Sequence, residues 1–172
     1  MSSTPSEELR AAPADLPAAV ARVAKALSEQ GAQCDIVFTA ASARTALEAA
    51  SALGVAVGQI AKSIVFRTRT SDRGVLVIAA GDHRIDEAKL GALVGESIER
   101  ANAAFVKSAT GFAIGGVAPL GHASPLIVLC DASLLRFDVV WAAAGTPHAV
   151  FPISPAELFR ITSARVVDVQ QD

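Results

Sequence analysis

The sequence has few cysteines, no long apolar run and no excess of positive charge. Its two cysteines, Cys34 and Cys130, lie far apart and outside any C-x-x-C or Cys/His spacing, so we expect reduced, buried thiols and no metal site. The apolar runs are short, and the N-terminus has no basic flank before an apolar stretch. We therefore expect a cytoplasmic protein, neither exported nor inserted in a membrane, that needs no cofactor.

The net charge of −2 argues against a protein that coats DNA or RNA without specificity, because such binding needs a broad excess of lysine and arginine. The charge is nevertheless uneven, since residues 62–107 carry +2 and each flank carries −2. This local bias is compatible with a contact between this segment and phosphate groups, although an ordinary solvated surface can have the same composition. The basic side chains of the segment are Lys62, Arg67, Arg69, Arg73, Arg84, Lys89, Arg100 and Lys107.

The sequence also lacks the short motifs of several enzyme classes. It has no G-x-S-x-G nucleophile elbow, no H-E-x-x-H zinc motif and no G-x-G-x-x-G dinucleotide motif. Ala61 stands where a phosphate-binding loop ending at Lys62 and Ser63 would require glycine. These absences exclude a P-loop nucleotidase and disfavour an esterase with a serine nucleophile.

The length and composition predict one globular domain, because a chain of 172 residues with 52% hydrophobic residues can bury a core. Residues 1–14 have no apolar periodicity, so we predict a flexible N-terminal tail followed by a domain over residues 15–172. Strands predicted both as a hairpin and between helices indicate an α+β fold, in which helices flank a mixed, largely antiparallel sheet.

Local patterns predict the individual elements. Apolar residues at helical spacing predict a first helix that Asp15 caps and Gly31 ends, and Ser154 with Pro155 marks the strongest helix start. The run from Lys62 begins a predicted β-hairpin. The predicted strands are 34–38, 62–69, 75–80, 97–101, 125–130, 139–144, 149–153 and 165–169, and the other helices are 43–53, 86–93, 102–111 and 154–161.

Two local features can carry chemistry. Lys62 opens a mostly apolar strand, so its ammonium can reach a cleft and hold a phosphate or polarise a carbonyl, unless it is a solvated strand-end lysine. The segment 111–121 contains four glycines and Pro119, which predicts a loop of special backbone geometry. Its residues 115–119 either offer backbone N–H groups to an oxyanion or form a plain turn.

The three histidines are weaker candidates. His148, after the turn Gly145-Thr146-Pro147, and His122, at the end of the glycine-rich loop, can position water or bind a ligand hydroxyl. A lone loop histidine is more often inert, and His83 is interpreted in that way. From these residues alone, the sequence indicates an α+β domain with a candidate ligand cleft.

Five ordered segments, between about Phe38 and Ile161, resemble the YbaK family, which includes freestanding relatives of the editing domain of bacterial prolyl-tRNA synthetases. The resemblance implies the curved sheet of that domain and a trans-editing hydrolase that deacylates mischarged aminoacyl-tRNA. Its implied partners are the acceptor end of the tRNA, with tRNA(Pro) as a candidate, and a synthetase. The segments are A-K-S-I-V-F-R, V-L-V-I-A-A-G-D-H-R-I-D, S-A-T-G-F-A-I-G-G-V-A-P-L-G-H, V-W-A-A-A-G-T-P-H and I-S-P-A-E-L.

The resemblance also implies roles for single residues. The functional lysine of the family falls on Lys62, its G-x-x-x-P substrate loop falls on residues 115–119, and the glycine of its late pocket motif falls on Gly145. We expect catalytic roles for Lys62, Gly116 and His148. The expected substrate-binding residues are Ser63, Gly115, Val117, Pro119, Gly121, His122 and Gly145, and no metal ligand is expected.

One departure bears on the substrate. Family members that act on cysteinyl-tRNA(Pro) carry an aspartate about where this chain has Val150, which favours alanine, serine, threonine or another small amino acid over cysteine. A non-catalytic binding module for aminoacyl-tRNA or a small ligand, with the same fold, remains the alternative. Intact Lys62, Gly116, Pro119 and Gly145 speak against it.

Overall fold

A computed structural model describes residues 9–10 and 16–171 of the protein. The predicted tail therefore lies outside the described residues, except for Leu9–Arg10, which form strand β1. The five helices of the described part are α1 (Ala18–Glu29), α2 (Ala46–Leu53), α3 (Glu87–Val94), α4 (Ala103–Thr110) and α5 (Pro155–Thr162). None of these helices is long and apolar enough to cross a membrane.

Side chains cap most of these helices as the sequence predicts. Asp86, Asn102 and Ser154 accept hydrogen bonds from backbone N–H groups in the first turns of α3, α4 and α5. Helix α1 differs, because it begins at Ala18 with Pro17 at the N-cap position and no side-chain cap. A proline disfavours helical geometry in the residue before it, here Leu16. This explains why the helix does not begin directly after Asp15.

The strands after β1 form one nine-stranded sheet with it. Along the sheet the order is β1-β2-β8-β7-β3-β4-β6-β9, and β5 pairs with β3 beside this path. The pairs β3–β7, β4–β6 and β6–β9 are parallel and the others are antiparallel, which confirms the mixed sheet. The strands are β2 (Val37–Thr39), β3 (Ile60–Thr68), β4 (Gly74–Ala80), β5 (Ile98–Arg100), β6 (Ile127–Asp131), β7 (Val140–Ala143), β8 (Ala149–Ile153) and β9 (Arg165–Val167).

Strand β4 lies at the centre of the core and is buried on both faces. Leu76 and Ile78 belong to a cluster that includes residues of α1, α4 and α5, whereas Val75 and Val77 belong to a second cluster with Leu90 of α3. Because successive side chains of a strand point to opposite faces, both faces need apolar residues, and the run is continuously apolar rather than alternating.

Both cysteines are free. Cys130 is buried, as predicted, and burial raises the pKa of its thiol to about 12. Cys34 is only partly buried, because it lies in the irregular segment between α1 and β2 rather than inside a strand.

Candidate active site

The site lies where one edge of β3 is left without a partner strand. On the other edge, β4 pairs with β3 from Ala61 to Arg67. On the site edge, β7 pairs only as far as Ala61 and β5 begins its pairing at Phe66. Residues 62–65 therefore lie in a gap between two partner strands, and a cavity of about 420 Å³ opens beside them.

The wall of this cavity is mostly small and apolar, and its polar groups are cationic or neutral. Lys62, Arg44 and Arg100 are its charged side chains, and within the described residues no aspartate or glutamate lines it. Ser63 and Thr45 supply hydroxyl groups. Such a cavity suits a small ligand that carries a negative charge or a polarised oxygen. Its apolar lining includes Ala46, Ala49, Ala142, Ala143, Trp141 and Val150.

The ammonium of Lys62 is held at this cavity by the backbone. Its Nζ donates a hydrogen bond of 2.7 Å to the carbonyl oxygen of His83, and the side chain is half-buried. Burial lowers the pKa of Lys62, and the nearby charge of Arg100 lowers it further, while Asp82 opposes the shift. An ammonium has three donors, so Lys62 can keep this bond and still donate to a ligand.

A buried network fixes the carbonyl that holds Lys62. The carboxylate of Asp131, which is 1% exposed, accepts hydrogen bonds from the backbone N–H groups of Ala80 and Ser133 at 3.3 and 2.9 Å. Nδ1 of His83 lies 3.0 Å from the Ser133 hydroxyl and 3.5 Å from the same carboxylate. His83, interpreted as inert from the sequence, therefore contacts Lys62 through its main chain and is anchored through its ring.

Ser63, which lines the cavity, has polar groups without a hydrogen-bond partner in the described part of the chain. Its hydroxyl is buried and has no hydrogen-bond partner among the described residues. Ile60 accepts from Gly81 on the β4 side, whereas Val65 accepts from Ala101 on the other side. Since backbone polar groups of successive residues alternate between the two edges of a strand, the N–H and C=O of Ser63 point into the gap.

The glycine-rich loop contributes the opposite wall through two of its predicted residues, Gly115 and Val117. Gly115 has a φ of +94°, a conformation that favours glycine, and the aliphatic part of Arg44 packs against it. The predicted meeting of Lys62 with this loop in one cavity is therefore present in the structure.

Gly116 and Gly145 lie behind that wall rather than on it. The N–H of Gly116 donates to the carbonyl of Ala113 at 3.0 Å, and a Cβ at Gly116 would lie 2.7 Å from the Cα of Thr146. A Cβ at Gly145 would lie 2.8 Å from the carbonyl oxygen of Ala19 in α1. Both glycines thus permit close backbone packing between the loop, the turn before β8 and α1.

The remaining predicted residues do not line the cavity. His148 is exposed, and its carbonyl accepts from the N–H of Thr39 at 2.8 Å. Pro119 is buried. Nε2 of His122 bonds to the carbonyl of Ala118 at 2.8 Å, burial lowers the pKa of His122, and Gly121 packs against α1.

Arg44, Arg100 and Trp141 line the cavity but were not singled out as site residues by the sequence. Arg100 belongs to the basic segment 62–107, so charge bias was the one signal that pointed to it. Arg44 precedes the N-cap of α2, and Trp141 lies on β7 beside Ile60. No cluster of three or more metal-ligating side chains occurs among residues 16–171 that the structure describes.

The fold and the site together define the class of this protein. It is an α+β domain with a small, cation-lined cavity at an open strand edge. Residues 40–161 match the family model of the aminoacyl-tRNA editing domain. The chain belongs to this family, which confirms the YbaK-like resemblance and implies binding of aminoacyl-tRNA.

Individual relatives support the same assignment. The uncharacterized protein YwhH of Bacillus subtilis (strain 168) is 35% identical over 139 residues, which cover 80% of this chain and 88% of YwhH. A crystal structure of a proposed trans-editing enzyme for prolyl tRNA synthetase is 42% identical, with a TM-score of 0.86 over 92% of this chain and 100% of that chain. Hypothetical protein APE2540 is 28% identical, with a TM-score of 0.82 over 87% of this chain and 99% of that chain.

Proposed function

We propose that the protein is a trans-editing hydrolase, which cleaves the ester between a wrongly attached small amino acid and the terminal ribose of a tRNA. The observation that carries this proposal is that Lys62, Ser63 and Gly115 line one small cavity. Membership of the editing family supports the class of substrate. Editing of this kind is needed because a synthetase pocket separates amino acids by only about 1–3 kcal/mol per methylene group.

The proposed chemistry uses hydrogen bonds and a positioned water. An aminoacyl ester is already activated, so donors that face its carbonyl oxygen stabilise the developing negative charge without a side-chain nucleophile. In this proposal Lys62 holds the acceptor end, and the N–H and hydroxyl of Ser63 face the aminoacyl group. No step of this mechanism requires a metal ion.

The glycine-rich loop acts as the wall against which the aminoacyl group fits. Gly115 and Val117 contact it in this proposal, while Gly116 and Gly145 keep the loop close to α1. His148, at the turn beside that loop, acts from the rim rather than inside the cavity. The roles of Pro119, Gly121 and His122 are then to shape the loop.

The size and lining of the cavity favour a small amino acid. Val150 lies in the wall, where a cysteine-editing member would carry a carboxylate, and the apolar side chains clustered around it include Ala49, Ile60 and Trp141. Alanine, serine and threonine are therefore the proposed substrates. The resemblance to a proposed trans-editing enzyme for prolyl tRNA synthetase makes tRNA(Pro) the proposed carrier and that synthetase the proposed partner, in the cytoplasm.

A panel of mischarged tRNAs tests the proposal. The protein is incubated with tRNA(Pro) carrying alanine, serine, threonine, cysteine or proline, and released amino acid is measured with and without EDTA and prolyl-tRNA synthetase. We expect release of one or more of the first three, intact prolyl-tRNA, and no effect of EDTA. Slower loss of every ester than in buffer alone would instead identify a non-catalytic binding module.

A further inference from the structure

The arginines of the described residues divide into two groups by their partners. Most are neutralised by a carboxylate or donate to a backbone carbonyl, as Arg22 and Arg165 do with Thr110 and Leu93. Those with a carboxylate partner are Arg67, Arg69, Arg73, Arg136 and Arg160.

Arg44, Arg84 and Arg100 have no such partner among the described residues, and of these three Arg44 and Arg100 line the cavity. Within the described part of the chain neither guanidinium forms an ion pair, and both side chains are exposed. Arg100 is the last residue of β5 and pairs with Phe66 of β3. Its guanidinium lies 5.9 Å from the centre of the Phe66 ring. Arg44 comes from the loop before α2, where its aliphatic part packs on Gly115.

These two arginines add to the charge of Lys62, so three cations face one opening that has no carboxylate among its described lining residues. Burial and then the charge of Arg100 lower the pKa of Lys62, which indicates like-charge repulsion at the opening that a bound anion would relieve. A guanidinium has a planar set of donors that matches a phosphate group, and an exposed guanidinium without a partner is free to bind one.

We propose that Arg100 and Arg44 bind phosphodiester groups of the RNA strand that ends in the aminoacylated nucleotide. This inference rests on the proposed function, because it takes the ligand of the cavity to be the end of an RNA strand. The arginines then hold the strand, while Lys62 and Ser63 act on its terminal nucleotide. Affinity for the RNA therefore depends on the arginines, and the chemical step does not.

The first experiment compares two esters that differ in phosphate. Arg100→Gln, Arg44→Gln and the double variant are assayed on the aminoacyl-tRNA that the wild-type protein hydrolyses and on the same amino acid esterified to adenosine, which has no phosphate. For the tRNA we expect KM to rise about tenfold per arginine with kcat unchanged, since a charge-assisted hydrogen bond is lost. For the adenosine ester we expect neither constant to change.

Arg160→Gln is the matched control, because it removes the same charge from an exposed side chain of α5 outside the cavity. It should leave both substrates unaffected. Arg100→Lys should restore part of the affinity for tRNA. An equal loss on both esters would overturn the proposal, because Arg100 would then act on the aminoacyl group or on the fold, and so would an unchanged KM for tRNA.

A binding experiment separates this proposal from the proposed function. Fluorescence anisotropy of an uncharged single-stranded RNA ending in CCA is measured at several salt concentrations. Each arginine variant should reduce the slope of log K against log salt concentration by about 0.7, as expected for one phosphate contact on a single strand. If the wild type hydrolyses neither ester, the proposed function fails, and this slope still tests whether the arginines contact phosphate groups. Slopes equal to wild type would reject them.

Discussion

The two edges of β3 differ in both pairing and charge. Along one edge, β4 pairs with it residue for residue from Ala61 to Arg67, and at the hairpin turn Arg73 is neutralised by Glu96. Along the other edge, residues 62–65 have no partner strand, and the arginines at the gap have no carboxylate partner among the described residues. The paired edge stabilises the fold, whereas the open edge keeps backbone groups and cations available to a ligand.

Strand β3 therefore contributes to the stability of the fold along one edge and to the site along the other. Substitutions should affect stability and activity separately. Changes on the open edge should reduce activity with little effect on the free energy of unfolding. Changes on the paired edge should do the reverse.

The largest effect is expected at Lys62 on the open edge. Lys62→Ala should reduce kcat/KM for deacylation by about 100- to 1000-fold, as loss of one preorganised donor does in other active sites. Its unfolding in urea should remain close to wild type, because the ammonium makes a single hydrogen bond within the described residues, to His83. Retained activity would contradict the role proposed for Lys62.

Ile78 provides the counterpart on the paired edge, because it lies directly opposite Ser63 in β4 and is fully buried. Ile78→Ala should lower the free energy of unfolding by about 2–5 kcal/mol through lost burial and the cavity left behind. Urea denaturation gives this value. The kcat/KM of the folded protein should stay near wild type, and a large loss would mean that the two edges are not separable.

Ser63→Ala should have a smaller effect, again on activity. Loss of the hydroxyl should lower kcat/KM about tenfold, the value of one hydrogen bond to the ligand. The free energy of unfolding should be unchanged or higher, because the buried hydroxyl has no partner in the described structure. A marked loss of stability would show that the hydroxyl bonds within the protein instead.

Glu96 should have the smallest effect, confined to the hairpin end of β3. Hydrogen bonds from Ser71, and then from Arg73 and Thr70, lower the pKa of Glu96 from 4.5 to about 2. The stability that this carboxylate contributes is therefore present above pH 4.5 and lost as the pH falls towards 2. Glu96→Gln should flatten the pH dependence of unfolding in that range, whereas deacylation at neutral pH should not change.

Elements that depend on local chemistry were predictable from the sequence. Asp86, Asn102 and Ser154 begin their helices because a side-chain oxygen accepts from nearby N–H groups, and this needs no tertiary contact. The hairpin of β3 and β4 is likewise set by one turn and two apolar runs. The resemblance to the editing family then placed Lys62 and the glycine-rich loop at one cavity.

What escaped prediction depends on contacts between distant parts of the chain. The gap in β3 exists because β7, about eighty residues later, stops pairing at Ala61, and no local pattern encodes that register. Arg44 lies at the cavity with its aliphatic part packed on Gly115, about seventy residues away in sequence. His148 follows a turn whose sequence fits the family pattern, yet its side chain is exposed and does not line the cavity.

The hydrogen bond from Lys62 to the carbonyl of His83 also has an entropic consequence. A free lysine side chain samples many rotamers, and ordering it on binding costs up to about 2 kcal/mol. Here the ammonium is already oriented before a substrate arrives, by the carbonyl of His83, whose ring lies 3.0 Å from the Ser133 hydroxyl and 3.5 Å from the carboxylate of the buried Asp131. The protein has therefore ordered the Lys62 side chain during folding, so substrate binding meets a preorganised cation.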